Sequence, residues 1–475
     1  MKSIERPAVP ETEAAPLRAD GAVLLLSCYE LGHQPLALAS PLAFLERAGF
    51  APAALDLSVE PFDPGRVTRA RLVAISVPMH TALRLGTRVA EEVRRVNPGC
   101  HVCFYGLYAS LNADYLLANG GDSVLGGEFE AALVALVEAL ETGRSGPIEG
   151  VHLRDHPARP VLKRMAFLPP SRDTLPALKS YAHLEENGSR RLVGYVEASR
   201  GCLHHCLHCP IPPVYGGRFF VVPQEVVLAD IDRLVRAGAT HITFGDPDFL
   251  NGPGHSMAVT RAVHAAWPSL TFDFTAKVEH ILRRPELLPE LRQLGCLFMI
   301  SAVESLSDTV LANLEKGHTR ADILPALRIV RQAGIAFRPT WVAFTPWTTL
   351  EDYLDMLDFI EREGLIDHVD PVQLTLRLLV PPGSALLSRE AIRPSLGPLD
   401  RASFSYRWSH PDPRMDDLQR RASRVVEASV SEDAGATFYK LKTLARSAAG
   451  RPLDVEPALA PDRRRPPRLT EAWFC

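Results

Sequence analysis

Short apolar runs alternate with amphipathic helical segments in two successive series, and this alternation restricts the chain to an α/β fold. The strand candidates of the first series are continuous apolar runs, as expected for strands buried on both faces. They are residues Ala22–Cys28, Pro52–Ser58, Leu72–Val77, His101–Leu107 and Ser123–Leu125. The helical segments between them supply the crossovers of a parallel, doubly wound sheet of five strands. We place this domain at residues 20–145, after a disordered polar tail over residues 1–20.

The second series predicts a partial barrel. Its strand candidates are Gly194–Ser199, His241–Gly245, Leu270–Ala276, Leu297–Val303, Ala336–Phe344 and Pro371–Val380. Six βα units are fewer than the eight of a closed barrel, so we predict a (β/α)6 barrel over residues 191–385. A Pro-rich connector over residues 146–190 precedes it, and a small α-rich region with a mobile tail follows over residues 386–475.

Charge and composition exclude several classes of protein. The chain has 52 Lys and Arg against 56 Asp and Glu, a net charge of −4, which argues against non-specific binding to nucleic acid. No apolar run approaches the roughly 18 residues that a membrane span needs, and we recognise no secretory signal. We therefore expect a cytoplasmic protein with neither a nucleic-acid nor a membrane partner.

Three of the eight cysteines are clustered. Cys202, Cys206 and Cys209 have the spacing C-x3-C-x2-C directly after a predicted strand, where the loops of parallel α/β folds carry chemistry. Three thiolates are one ligand short of a saturated site. They fit either zinc with a nearby histidine as fourth ligand, or a 4Fe–4S cluster with one iron open to another molecule.

The spacing, at the end of a first barrel strand, resembles the radical S-adenosylmethionine (SAM) superfamily over about residues 190–380. The resemblance implies that Cys202, Cys206 and Cys209 hold a 4Fe–4S cluster whose open iron binds the amino and carboxylate groups of SAM. Reductive cleavage of SAM would then give a 5′-deoxyadenosyl radical that abstracts hydrogen from a substrate. We expect an electron donor such as flavodoxin or ferredoxin, and a small-molecule or peptide substrate that the sequence does not identify.

Four further residues match positions that contact SAM in this superfamily. His208 stands where an aromatic residue usually precedes the third cysteine, and Asp246 follows the second strand, where an acidic group faces the methionine amine. Lys277 corresponds to a basic residue that meets the carboxylate, and Glu304, in a run that resembles G-x-E-S, to an acceptor for the ribose. Two local alternatives remain: Asp246 lies in turn-like sequence, and Glu304 can cap the next helix.

The first domain resembles the cobalamin-binding domain of a subgroup of these enzymes. Ser76, Gly106 and Gly126 follow predicted strands, and a flat corrin requires small residues where the backbone approaches it. The resemblance implies cobalamin and methyl transfer, although the D-x-H-x-x-G element that supplies an axial histidine is missing. The alternatives are radical chemistry without cobalamin and a zinc-stapled binding protein without catalysis.

The last residues, Thr470–Cys475, resemble the start of the CUAEP or CCAEP tail of one radical SAM group, where U is selenocysteine. On this interpretation Cys475 is a redox thiol, and a second cysteine or a selenocysteine follows it. The alternative is an incidental terminal cysteine.

The nucleotide sequence after the Cys475 codon tests the interpretation of the tail. We expect TGA followed by codons for Ala-Glu-Pro, because selenocysteine is encoded by a codon that is normally read as stop. A TAA or TAG directly after the Cys475 codon would contradict it.

Overall fold

The computed structural model describes residues 16–451, 460, 463 and 465–471. The expectations for residues 1–15 and for Cys475 therefore lie outside the described residues. The chain divides into two compact units, the first containing residues up to 30 and 35–176 and the second residues 31–34 and 177 onward. No helix in the described part is long and apolar enough to cross a membrane.

The N-terminal unit is built on a six-stranded sheet with the order β2-β1-β3-β4-β5-β6. Its strands are β1 (Val23–Ser27), β2 (Ala53–Asp56), β3 (Leu72–Ser76), β4 (His101–Tyr105), β5 (Ser123–Leu125) and β6 (Val151–Leu153). Strands β1–β5 are parallel, which confirms the predicted doubly wound sheet. The short β6 lies in the segment interpreted as a connector and adds an antiparallel edge beside β5.

Six helices connect the strands of this unit. They are α1 (Leu36–Arg47), α2 (Pro64–Arg69), α3 (His80–Val96), α4 (Leu107–Leu111), α5 (Ala113–Ala118) and α6 (Glu130–Glu141). All residues of β1 and β3 are buried, as the continuous apolar runs predict for a sheet that is covered on both faces.

The C-terminal unit contains a seven-stranded sheet with the order β14-β13-β12-β11-β8-β7-β17, and two two-stranded ribbons, β9 with β10 and β15 with β16. The strands are β7 (His183–Glu186), β8 (Ser189–Val196), β9 (Ser199–Gly201), β10 (Phe219–Val221), β11 (His241–Phe244), β12 (Thr271–Thr275), β13 (Cys296–Glu304), β14 (Ala336–Trp341), β15 (Leu396–Asp400), β16 (Ser405–Trp408) and β17 (Arg468–Leu469). Strands β8 and β11–β14 are parallel neighbours. They form the curved sheet of the predicted partial barrel.

Ten helices belong to this unit. They are α7 (Ile211–Tyr215), α8 (Gln224–Arg236), α9 (Pro253–Ala266), α10 (Val278–Arg283), α11 (Leu287–Gln293), α12 (Asp308–Leu314), α13 (Arg320–Gln332), α14 (Leu350–Arg362), α15 (Pro413–Ala428) and α16 (Ala434–Ala448). Helices α15 and α16 confirm the expected α-rich region after the barrel.

The prediction of a sixth strand over Pro371–Val380 is wrong. Residues Pro371–Thr375 form a 3-10 helix, and a single parallel bridge between Phe344 and Arg377 occupies the place of a sixth strand. Pro371 has no backbone N–H to give to a sheet. The backbone N–H of Trp341, at the end of β14, donates instead to the side-chain oxygen of Gln373 at 3.1 Å.

The antiparallel ribbon of β9 and β10 joins the two ends of the segment that carries the clustered cysteines; we call these paired ends the base of the segment. Gly201 pairs with Phe219 in this ribbon, so residues 202–218 leave and return at adjacent points. Gly201 has φ +74°, and a Cβ there would overlap the carbonyl oxygen of Arg218. Only glycine combines this backbone conformation with so close a strand approach.

Gly201→Ala should therefore open the base of the cysteine segment. We expect its free energy of unfolding in urea to fall by more than the ~1–2 kcal/mol that a left-handed alanine costs. Gly188→Ala is the matched control, because Gly188 has φ +79° and no heavy atom lies within 4 Å of its Cβ position. Equal losses in the two variants would contradict the steric role of Gly201.

Candidate functional site

The three clustered cysteines lie on one short segment, with two of them buried and Cys209 partly buried. Cys202 and Cys206 are 8% and 6% exposed, and the backbone N–H of Cys209 donates to the carbonyl of Cys206 at 3.2 Å in a tight turn. The side-chain N–H of Asn251 lies 3.5 Å from Sγ of Cys202. Burial raises the pKa of Cys209 to about 12, so its thiol ionises only with a strong positive partner, such as a metal ion supplies.

A single zinc ion and a larger metal centre require different distances between the three sulfur atoms. A single tetrahedral zinc ion would draw three sulfurs to roughly 3.8 Å of one another, since Zn–S bonds are about 2.3 Å long. Among the described residues, the one set of three potential ligands within 4.8 Å of each other does not include these thiols. In this structure the three sulfurs are therefore not drawn together around one ion.

A buried ion pair lies beside the cysteines. Nζ of Lys316 lies 3.2 Å from Oε1 of Glu304, and Nε2 of His208 lies 3.4 Å from the same oxygen. Burial alone would raise the pKa of Glu304, but the charges of Lys316 and His208 outweigh it and lower the pKa to about 2. The cysteines Cys206 and Cys209 and the carboxylate together raise the pKa of Lys316, so the pair is ionised at neutral pH.

Glu304 is held in an uncommon backbone conformation. It ends β13 with φ +65°, a value that costs free energy for a residue with a side chain and is found most often at functional sites. The carboxylate is directed to Lys316, which follows α12, and does not cap that helix. The structure thus brings two of the predicted residues, His208 and Glu304, together.

Asp246 is buried where β11 ends and accepts hydrogen bonds from the chain that leads to the cysteines. The backbone N–H of Ala198 donates to its Oδ2 at 2.9 Å, and the hydroxyl of Ser199 donates to Oδ1. Burial raises the pKa of Asp246 to about 7. These contacts fix the start of β9, while the predicted contact of Asp246 with the methionine amine stays a prediction.

Lys277 is buried at the start of α10, where its Nζ lies 3.7 Å from Oε2 of Glu279. It follows β12 and stands at the same edge of the sheet as Asp246 and Glu304, because parallel strands end together. Its predicted contact with a methionine carboxylate stays a prediction.

In the N-terminal unit, Ser76, Gly106 and Gly126 lie at the carboxyl ends of β3, β4 and β5, at one edge of the sheet. Ser76 is buried, and its hydroxyl has no hydrogen-bond partner within the described residues. A Cβ on Gly106 would lie 3.0 Å from the carbonyl oxygen of Val77, and one on Gly126 would lie 2.5 Å from Oγ of Ser110. The packing of the chain itself therefore explains both glycines.

Sequence reasoning missed two neighbours of the cysteines, Asn251 and Lys316. Lys316 lies in the run Leu314–Thr319, which resembles the cobalamin subgroup but gave no role for the lysine. Asn251 ends a 3-10 helix three residues after Asp248, and nothing in its local sequence indicates a sulfur contact.

A family model provides an independent comparison. The model of the radical SAM superfamily matches residues 196–360, which run from the end of β8 through the cysteines to α14. The chain contains a radical SAM domain. Domains of this superfamily use a 4Fe–4S cluster and SAM, and the cysteine segment lies inside the matched range.

Solved structures share the fold of the radical SAM domain and of the unit before it. The cobalamin-dependent SAM radical enzyme OxsB superposes with a TM-score of 0.69 at 15% identity, over 86% of this chain and 67% of OxsB. The radical SAM methyltransferase TsrM from Kitasatospora setae has a TM-score of 0.65 at 17% identity, over 88% of this chain and 89% of TsrM.

The curated sequence relatives match a smaller part of the chain than the solved structures do. The hopanoid C-3 methylase of Methylococcus capsulatus is 25% identical over 324 residues, which are 66% of this chain and 62% of the relative. The chain spans between 34% and 65% of the length of the first curated relatives that it matches.

Lys316→Met should leave Glu304 as an uncompensated buried charge. We expect a loss of about 3–5 kcal/mol in the free energy of unfolding at neutral pH, as for other broken buried pairs. The double variant Lys316→Met/Glu304→Gln, which removes both charges, should lose less free energy of unfolding than the single variant Lys316→Met.

The same pair predicts a pH dependence of the variant relative to wild type. In wild type the lowered pKa of Glu304 stabilises the fold above the unfolded pKa of about 4.3, and this stabilisation is lost as the pH falls toward 2. In Lys316→Met, burial instead favours the protonated acid, so the stability deficit should shrink as the pH falls. A deficit that is independent of pH, measured by urea unfolding, would contradict the ion pair.

Proposed function

We propose that the chain is a radical SAM enzyme in which Cys202, Cys206 and Cys209 hold a 4Fe–4S cluster. The supporting observation is that three cysteines with the spacing C-x3-C-x2-C lie on one short segment inside the radical SAM domain. When bound, the cluster supplies the electron that cleaves SAM and thereby starts radical chemistry on a substrate.

The protein's own residues would bind and orient SAM. In this proposal Lys277 meets the carboxylate of SAM, Asp246 its amine and Glu304 its ribose hydroxyls. Lys316 balances the charge of Glu304, so at neutral pH Glu304 is ionised and can accept hydrogen bonds. His208 offers a ring face beside the third cysteine, and its Nδ1 is buried without a partner. Burial of these groups keeps water from the reacting atoms.

The proposal extends to cobalamin and methyl transfer. It is supported by the common fold with OxsB and TsrM, and by the similarity to a hopanoid methylase. Ser76, Gly106 and Gly126 would lie beside the corrin at the edge of the first sheet. A flavodoxin or ferredoxin would serve as the electron donor, and the substrate would be a small molecule or a peptide.

Cysteine variants test the cluster. After anaerobic reconstitution with iron and sulfide, Cys202→Ala, Cys206→Ala and Cys209→Ala should each lose iron and the ability to cleave SAM. Cys296→Ala is the control, because Cys296 is fully buried in β13 and should retain about four irons per chain. Full SAM cleavage by any of the first three variants would contradict the assignment.

Corrin retention tests the second cofactor. Reconstituted protein mixed with hydroxocobalamin should keep the corrin absorbance through gel filtration, and Gly126→Leu should lose it because the larger side chain crowds the sheet edge. Failure of cluster-loaded wild type to retain cobalamin would favour radical chemistry without it.

A further inference from the structure

Two histidines and one aspartate converge at a point that the proposed function does not use. His204 lies in the cysteine segment, Asp248 follows β11, and His280 lies in α10. Their ligand atoms all lie within 4.8 Å of one another. Oδ2 of Asp248 is 2.9 Å from Nδ1 of His280 and 3.5 Å from Nε2 of His204.

Among the described residues, the two imidazole nitrogens that face Asp248 have its carboxylate, at ion-pair distance, as their partner. Nε2 of His204 and Nδ1 of His280 are buried and make no hydrogen bond of acceptable geometry, although Asp248 is 1% and His280 7% exposed. Native proteins rarely leave buried polar atoms without a hydrogen bond, and an ion that the coordinates do not contain is one recognised explanation. Both oxygens of Asp248 also accept from the backbone: Oδ1 from the N–H of Leu250 at 3.0 Å and Oδ2 from the N–H of Lys277 at 3.4 Å.

The chemistry of the three groups fits a transition-metal ion. Imidazole nitrogen and carboxylate oxygen bind zinc at about 2.0–2.2 Å, so ligand atoms on one tetrahedral ion lie roughly 3.4 Å apart. The distances of 2.9 and 3.5 Å from Asp248 are close to this value. Glu279 supports the arrangement, because its Oε2 lies 3.7 Å from Nδ1 of His204, on the opposite side of that ring. Carboxylates often take this position behind a metal-binding histidine.

We infer that His204, Asp248 and His280 bind one divalent transition-metal ion of the zinc class, separate from the clustered cysteines. Three protein ligands leave a fourth position open to water or to an oxygen or nitrogen atom of a bound molecule. Because His204 is two residues from Cys202, an ion here would also tie the cysteine segment to the ends of the second and third barrel strands.

Zinc binding by the reconstituted protein tests this inference. Protein loaded with iron and sulfide is desalted and titrated with Zn²⁺ against a chromophoric chelator, and both metals are counted by elemental analysis. We expect about one zinc in addition to about four irons per chain. Asp248→Asn, which keeps the acceptor for Leu250, and His280→Ala should weaken zinc binding by on the order of 100-fold or more, with the iron content unchanged.

His264→Ala is the matched control. Nδ1 of His264 likewise makes no hydrogen bond to the described residues, but the residue lies in α9 outside the cluster, so this variant should bind zinc as wild type does. X-ray absorption at the zinc edge of the wild-type protein provides a readout that does not depend on variants. It should show nitrogen or oxygen neighbours at about 2.0–2.1 Å and no sulfur at about 2.3 Å.

Three results would overturn the inference: no uptake of zinc by wild type, a sulfur neighbour at the zinc edge, or zinc affinities of Asp248→Asn and His280→Ala equal to wild type. The first and third results leave the proposed function untouched, because it rests on iron content and SAM cleavage, whereas a sulfur neighbour together with a loss of iron would also count against the cluster.

Discussion

The position of the candidate site depends on parallel strand pairing. Strand β8 pairs with β11, β11 with β12, and β12 with β13. Because parallel strands end at the same edge of a sheet, the segments that follow these four strands meet there, although more than 100 residues separate the first from the last. The cysteine segment, Asp246, Lys277 and Glu304 come from four different strand ends. No local element could bring them together, so the chemistry depends on the sheet order.

Burial is the second constraint on the groups at the carboxyl ends of the parallel strands. Glu304, Lys316 and Asp246 are buried at this edge, and a buried charge must be balanced by a partner. Glu304 and Lys316 balance each other, whereas Asp246 has only hydrogen bonds from Ala198 and Ser199, so its pKa moves toward neutrality. At neutral pH the same fold therefore keeps Glu304 ionised and holds the pKa of Asp246 near neutrality.

The strands of the barrel were predictable because short runs rich in apolar residues alternate with amphipathic helical segments, although polar residues such as Asp273 and Arg338 interrupt the runs. His241–Gly245 exceeds β11 by one residue at its C-terminus, and Leu270–Ala276 exceeds β12 by one residue at each terminus. Pro371–Val380 has a similar composition, but its proline and the Gln373 side chain prevent a strand. The three-residue β6 is too short to show a period. The positions of Asn251 and Lys316 depend on tertiary packing, which local sequence does not encode.

The ribbon of β9 and β10 has a consequence for the order in which the protein matures. Main-chain hydrogen bonds at its base, together with the bond from Leu207 to the carbonyl of Leu314 at 2.9 Å, hold residues 202–218 as a closed loop. The entropy of closing this loop is therefore offset by backbone pairing. Small zinc domains differ, because in them the metal itself drives folding. Here the polypeptide can fold first and receive its inorganic centre afterwards, so assembly of that centre becomes a late step on an already shaped protein.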